Sequence, residues 1–165
     1  MVILLRIPPR IKVYEALGAL ADDRVSMRLE DSVVRARVVS SDGSRQYRVV
    51  VFRKTDFLYH VYSNDNGTVY RRYVGYPIIS VMMASGFLPY DESLAEALKG
   101  VPWRRLNEES KKYKLVEEYI LSRLNDDVRD RLLEFVNNVL SKIKRMKIYY
   151  DEELGRTHSL TDWLP

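Results

Sequence analysis

The residues of this chain best equipped for chemistry are arginines and tyrosines placed at alternating positions in short apolar runs. In SVVRARVVSS, Val34, Ala36 and Val38 point one way and Arg35 and Arg37 the other, because side chains alternate along a strand. In YHVYS, His60 and Tyr62 share one face and Tyr59 and Val61 the opposite one; in TVYRRYV, Arg71 goes with Tyr73 and Arg72 with Tyr70. With the valines turned inward, the exterior offers Arg35, Arg37, Arg48, His60 and Tyr62, together with Arg71 or Arg72. Arginine grips phosphate with two parallel hydrogen bonds and tyrosine stacks on unpaired bases, the combination used to hold single-stranded DNA or RNA. The same residues also serve as ion pairs and edge protection in thermophile sheets.

Other chemistry finds little support. Without cysteine there is no disulfide, thiolate nucleophile or cysteine-ligated metal. Two histidines, His60 and His158, lie far apart, and the nucleophile elbow, phosphate-cradling glycine loop and paired-histidine zinc motif are absent. Asp22-Asp23 and Asp91-Glu92 read as solvated acids at helix ends. No catalytic residue, metal site or cofactor is expected, and a binding protein is favoured over an enzyme. A second reading is a protein–protein adaptor or homodimeric scaffold. It would use the last helix, with its stripe of Val128, Leu132, Phe135, Val136, Val139 and Ile143, and a tail whose Leu160, Trp163 and Leu164 suit a partner's groove.

These side chains need elements to position them. The 165 residues, 46% hydrophobic and 30% charged, suit one domain with a substantial core, spanning 1–150, followed by a loose tail over 151–165. Helical spacing of Ile11, Tyr14, Leu17 and Leu20 predicts a first helix over about 9–22. Five β-rich runs follow between about 24 and 74, with Asp42-Gly43 and Asn66-Gly67 as hairpin turns. Pro77 opens an apolar helix that Gly86 ends, DESLAEALKG is a short helix stopped by Gly100, another helix runs from Asn107 to Arg123 or Leu124, and Asn125 caps the last. The expected fold is α+β: an antiparallel meander covered by helices, with a C-terminal helical pair.

Charge and location complete the outline. The net charge of +4 is modest, but Arg24 to Tyr73 holds ten basic against five acidic residues, nearly all of the former arginine. MVILLRIPPR is too short and too broken to span a membrane or serve as a secretory signal, so a cytoplasmic protein without membrane partners is expected. Abundant Arg, Lys, Glu and Tyr with a single glutamine, Gln46, point to a hyperthermophilic, archaeal source.

Residues 35–86, with RARVVSSDGSRQYRVVV, then HVYSNDNG, then GYPIISVMMASG, resemble SWIM-type zinc-finger modules, in which a short meander leads into a helix. The family's Cys-x-Cys pair falls near His60 and Tyr62 and its Cys-x-His pair near Gly75 and Pro77, so at most one of four ligands survives. The resemblance implies a DNA- or protein-binding module. Packing of Tyr59, Tyr62, Tyr70, Tyr73 and Tyr76 would then take the place of the zinc.

Overall fold

The computed structural model describes residues 1–156. Its elements are β1 (Val2–Leu4), α1 (Ile11–Ala21), β2 (Val25–Glu30), β3 (Val33–Val39), β4 (Gln46–Thr55), β5 (Leu58–Ser63), α2 (Asn66–Val69), α3 (Tyr76–Ala84), α4 (Glu92–Glu96), α5 (Trp103–Ser110), α6 (Tyr113–Ser122), α7 (Asp126–Arg145), β6 (Lys147–Asp151) and α8 (Glu153–Arg156). One sheet runs in the order β1-β6-β5-β4-β3-β2. The fold is α+β: β2 to β5 form an antiparallel meander, β6 joins β5 in parallel, and β1 closes the far edge. A parallel neighbour needs a long crossover, and the helices α2 to α7 supply it.

Alternation along the strands sorts the two faces. Val34, Ala36, Val38, Val49, Val51, Tyr59, Val61 and Ile148 turn inward and are buried. Tyr14 and Leu17 of α1, Ile78, Ile79 and Met82 of α3 and the Leu132, Val136, Val139 and Ile143 stripe of α7 complete the same core. These four residues of α7 are thus consumed inside the domain, while Val128 and Phe135 of the same stripe are half-buried.

Local chemistry sets many boundaries. Asn125 accepts a hydrogen bond from the Val128 amide at 2.9 Å, and Asp91 one from Leu94 at 3.1 Å, as N-caps do. Gly86 and Gly100 take φ of 80° and 78° where α3 ends and just beyond α4. In the β3–β4 hairpin the Asp42 carboxylate accepts from the Ser44 hydroxyl at 2.7 Å, the Ser44 amide at 3.0 Å and the Ser40 hydroxyl at 2.8 Å. The two Ser44 bonds, then the Ser40 bond, hold its carboxyl well below the usual carboxylate range.

Four expectations are corrected. TVYRRYV is no strand: residues 66–69 form a helical turn, Arg72 adopts a left-handed φ of 59°, and only Tyr73 makes an isolated parallel bridge, to Arg6. The cause is Asp65. Its carboxylate takes the Thr68 amide at 3.1 Å and the Thr68 hydroxyl at 2.9 Å, and also receives the Ser63 hydroxyl, so the chain enters a helix where a hairpin was expected. Second, the helix expected from Asn107 begins at Trp103 and is split in two at Lys111, whose φ is 56°. Trp103 is buried against α1, where a side chain on Gly18 would meet the indole nitrogen at 2.4 Å. Third, the start of the chain and residues 147–151 add β1 and β6 to the sheet. Fourth, the five tyrosines form no single cluster: Tyr59 is in the core, Tyr62 is on the opposite face and Tyr70 is exposed. What joins the end of β5 to the start of α3 is the Asp65 hub, since Thr68 Oγ1 also accepts the Gly75 amide at 3.2 Å.

Candidate functional site

The outer face of the sheet carries most of the residues expected to bind nucleic acid, arranged in rows across the strands. Arg28 pairs with Arg35, and that row continues through Val50 to Tyr62. In the next row Arg37 pairs with Arg48, and on the other side Phe52, His60 and Tyr149 are aligned. Four guanidinium groups are therefore packed on adjacent positions of β2, β3 and β4. Like charges side by side in a sheet are unfavourable, and Glu30 offsets part of this by facing Arg28 at 2.8 Å and Arg35 at 3.3 Å.

The individual environments differ. Arg35 is largely covered, with 14% of its side chain exposed. Arg37 donates to the neutral Gln46 amide oxygen at 3.3 Å. Arg48 donates to the Tyr62 hydroxyl at 3.2 Å and lies over the Tyr62 ring at 5.8 Å. His60 Nδ1 is 2.9 Å from Asp151 Oδ2, tying β5 to β6. None of Arg28, Arg35, Arg48 or Tyr62 is without partners. The α8 turn lies against β4 and β5, with Gly155 on the Tyr62 ring.

Arg71 and Arg72 belong elsewhere. Arg72 stacks over the Tyr150 ring at 5.4 Å, and Arg71 lines a cleft at one end of the domain. Leu160, Trp163 and Leu164, expected to meet a partner, lie outside the described residues, as does His158. Among the described residues no three potential metal-ligating side chains come together, and no helix is long and apolar enough to cross a membrane.

The cleft was not legible in the sequence beyond Arg71. It has a volume of about 780 Å³ and is walled by the Ile7–Pro9 segment, α1, the α2–α3 connection, α5 and the start of α6. Lys12, Tyr73 and Arg104 also line a deeper recess of about 170 Å³ reaching Glu15 and Asp65. At its floor Lys12 and Glu15, one helical turn apart, form an ion pair at 2.8 Å, and Asn107 donates to Glu15 at 2.8 Å. Burial works against the Lys12 charge, but Glu15, Tyr73 and Tyr113 together outweigh it and raise the ammonium above its ordinary value. Burial likewise raises the Tyr73 hydroxyl, against the pull of Lys12. The only local signal was the Lys12/Glu15 spacing on one face of α1; the other walls come from distant segments.

No curated protein and no solved structure matches this chain. A family model described as "Uncharacterised conserved protein UCP014422" matches residues 5–149, a span holding the arginine face and every wall of the cleft. The chain belongs to that family.

Proposed function

We propose that the protein is a non-enzymatic, nucleic-acid-associated binding module that uses the arginine- and tyrosine-bearing outer face of its sheet. The observation that carries this reading is the registered packing of Arg28 with Arg35 and of Arg37 with Arg48, four guanidinium groups on three adjacent strands. A strand of phosphates relieves their mutual repulsion by placing an anion beside each guanidinium. Exposed pairs such as Arg28–Glu30 are each worth only about 0–1 kcal/mol. Tyr62 supplies an aromatic surface beside them once Gly155 moves off its ring.

The test is fluorescence anisotropy with labelled single- and double-stranded oligonucleotides at about 50 mM salt, where electrostatic association is strong. Binding that weakens steeply with salt supports the reading. An absence of binding to either form removes it and leaves the adaptor. Leu132, Val136, Val139 and Ile143 are spent in the core, so that alternative would rest on the half-buried Val128 and Phe135 of the last helix and on Leu160, Trp163 and Leu164 of the tail.

A further inference from the structure

The cleft at the end of the domain is distinct from the sheet face and differs from it in charge balance. Five cationic side chains line it, Arg6, Lys12, Arg71, Arg104 and Lys111, against one carboxylate, Glu108. Two of the five are neutralised: Lys12 by Glu15 at 2.8 Å, and Arg104 by Asp42 and Glu108, each at 3.3 Å. Arg6, Arg71 and Lys111 have no carboxylate within ion-pair distance among the described residues. Three uncompensated cations around one concavity focus a positive potential into it.

The backbone segments that carry Arg6 and Arg71 are tied together. The Arg6 amide donates to the Arg72 carbonyl at 2.8 Å and the Val74 amide to the Arg6 carbonyl at 3.1 Å, joining the Arg6 segment to the 71–74 segment. The Arg6 guanidinium also donates to the Arg71 carbonyl. Pro8 and Pro9 stiffen the chain between Arg6 and α1. Backbone that is already ordered in this way loses little freedom when a ligand enters.

From this geometry we infer that the cleft binds a phosphate monoester of nucleotide size. Two guanidinium forks and one ammonium suit a tetrahedral dianion, whereas a carboxylate, planar and singly charged, is satisfied by one arginine. The volume of about 780 Å³ falls within the range of small-ligand sites. A phosphate monoester comes from a free nucleotide or from the phosphorylated end of a strand, and the test separates the two.

The experiment is an amide NMR titration of the full chain with AMP, adenosine, and a tetranucleotide carrying either a 5′-phosphate or a 5′-hydroxyl. AMP and the phosphorylated tetranucleotide should shift the amides around Arg6, Arg71 and Lys111 saturably, while adenosine and the 5′-hydroxyl strand should not. Similar affinities for the two phosphorylated probes indicate a free nucleotide; tighter binding of the strand indicates its end. Arg71→Ala with Lys111→Ala should weaken binding by about tenfold or more, since each removes a charged hydrogen bond. Both residues are exposed, so the melting temperature should be unchanged, and Lys111→Glu alone provides a second variant that should weaken binding. The inference fails if neither phosphorylated probe gives saturable shifts, or if those shifts persist undiminished in the variants. It is independent of the sheet face: Arg35→Ala with Arg37→Ala should leave AMP binding intact. If that pair abolishes AMP binding while the cleft variants do not, the cleft reading falls and the sheet reading stands.

Discussion

Gly155 lies on the ring of Tyr62, so close that a Cβ at position 155 would be 2.4 Å from Tyr62 Cε2. This contact seats the α8 turn on the outer face of the sheet, beside Arg48. Gly155→Val should lift α8 and speed amide exchange over residues 152–156, leaving β3 and β4 protected because their ladder is untouched. On the nucleic-acid reading, the same variant should also bind single strands more tightly, since it frees an aromatic face. Unchanged exchange over 152–156 would show that the ring moves aside and that α8 stays in place.

The arginine rows and Tyr62 report different physics. Replacing Arg35 and Arg37 together by Ala should make the log–log salt dependence of oligonucleotide binding shallower by roughly one to two units, because each phosphate contact on a single strand contributes about 0.7. Tyr62→Ala should cost on the order of 1–3 kcal/mol of binding with little change in slope, because stacking releases no counterions. A slope unaffected by loss of both arginines would place the phosphate contacts elsewhere.

Asp65 is expected to be among the most sensitive polar positions. It is buried, caps α2 and accepts the hydroxyls of Ser63 and Thr68. Asp65→Ala leaves those buried groups without their acceptor and should lower stability by about 2–4 kcal/mol in urea denaturation. Asp65→Asn keeps an acceptor and should cost less. A loss below about 1 kcal/mol for the alanine variant would mean that water reaches the hub and replaces the carboxylate.

The Lys12–Glu15 pair makes a prediction at high pH. Because the folded-state value of Lys12 is raised above the ordinary 10.5, its contribution to stability is complete below 10.5 and is lost only as pH rises through the higher folded value. The Lys12 side-chain resonance should therefore remain that of an ammonium at about pH 11, where an ordinary lysine is mostly neutral. In Glu15→Gln the burial penalty acts without its main counter-charge, and Lys12 should titrate lower than in the parent protein. Titration at the ordinary value in both proteins would mean that the pair is hydrated and the recess open.

Much of the fold could be read locally. The alternation in SVVRARVVSS and YHVYS assigned Val34, Val38 and Val61 to the core and Arg35, Arg37, His60 and Tyr62 to the other face, because a strand's side-chain period of two is a property of the backbone itself. Asn125, Gly86, Gly100 and Asp42-Gly43 marked their boundaries for a similar reason: a cap or turn is settled by groups within a few residues.

What the sequence by itself determined is therefore the meander, its two faces and most helix ends. Tertiary structure alone decided the rest. Asp65-Asn66-Gly67 suits either a hairpin or a helix cap, and the choice followed from Ser63, Thr68 and Gly75 converging on one buried carboxylate. The strands β1 and β6 are short and have few local signals; β6 exists because it satisfies the backbone groups at the edge of β5, and β1 because it does the same for β6. The cleft is assembled from chain segments that include Arg6, Lys12, Arg71, Arg104 and Lys111, so no window of sequence contains it. Its charge balance combines two local pairs, Lys12–Glu15 and Arg104–Glu108, with one distant carboxylate, Asp42, on Arg104, and packing gathers Arg6, Arg71 and Lys111 beside them with no carboxylate in reach among the described residues.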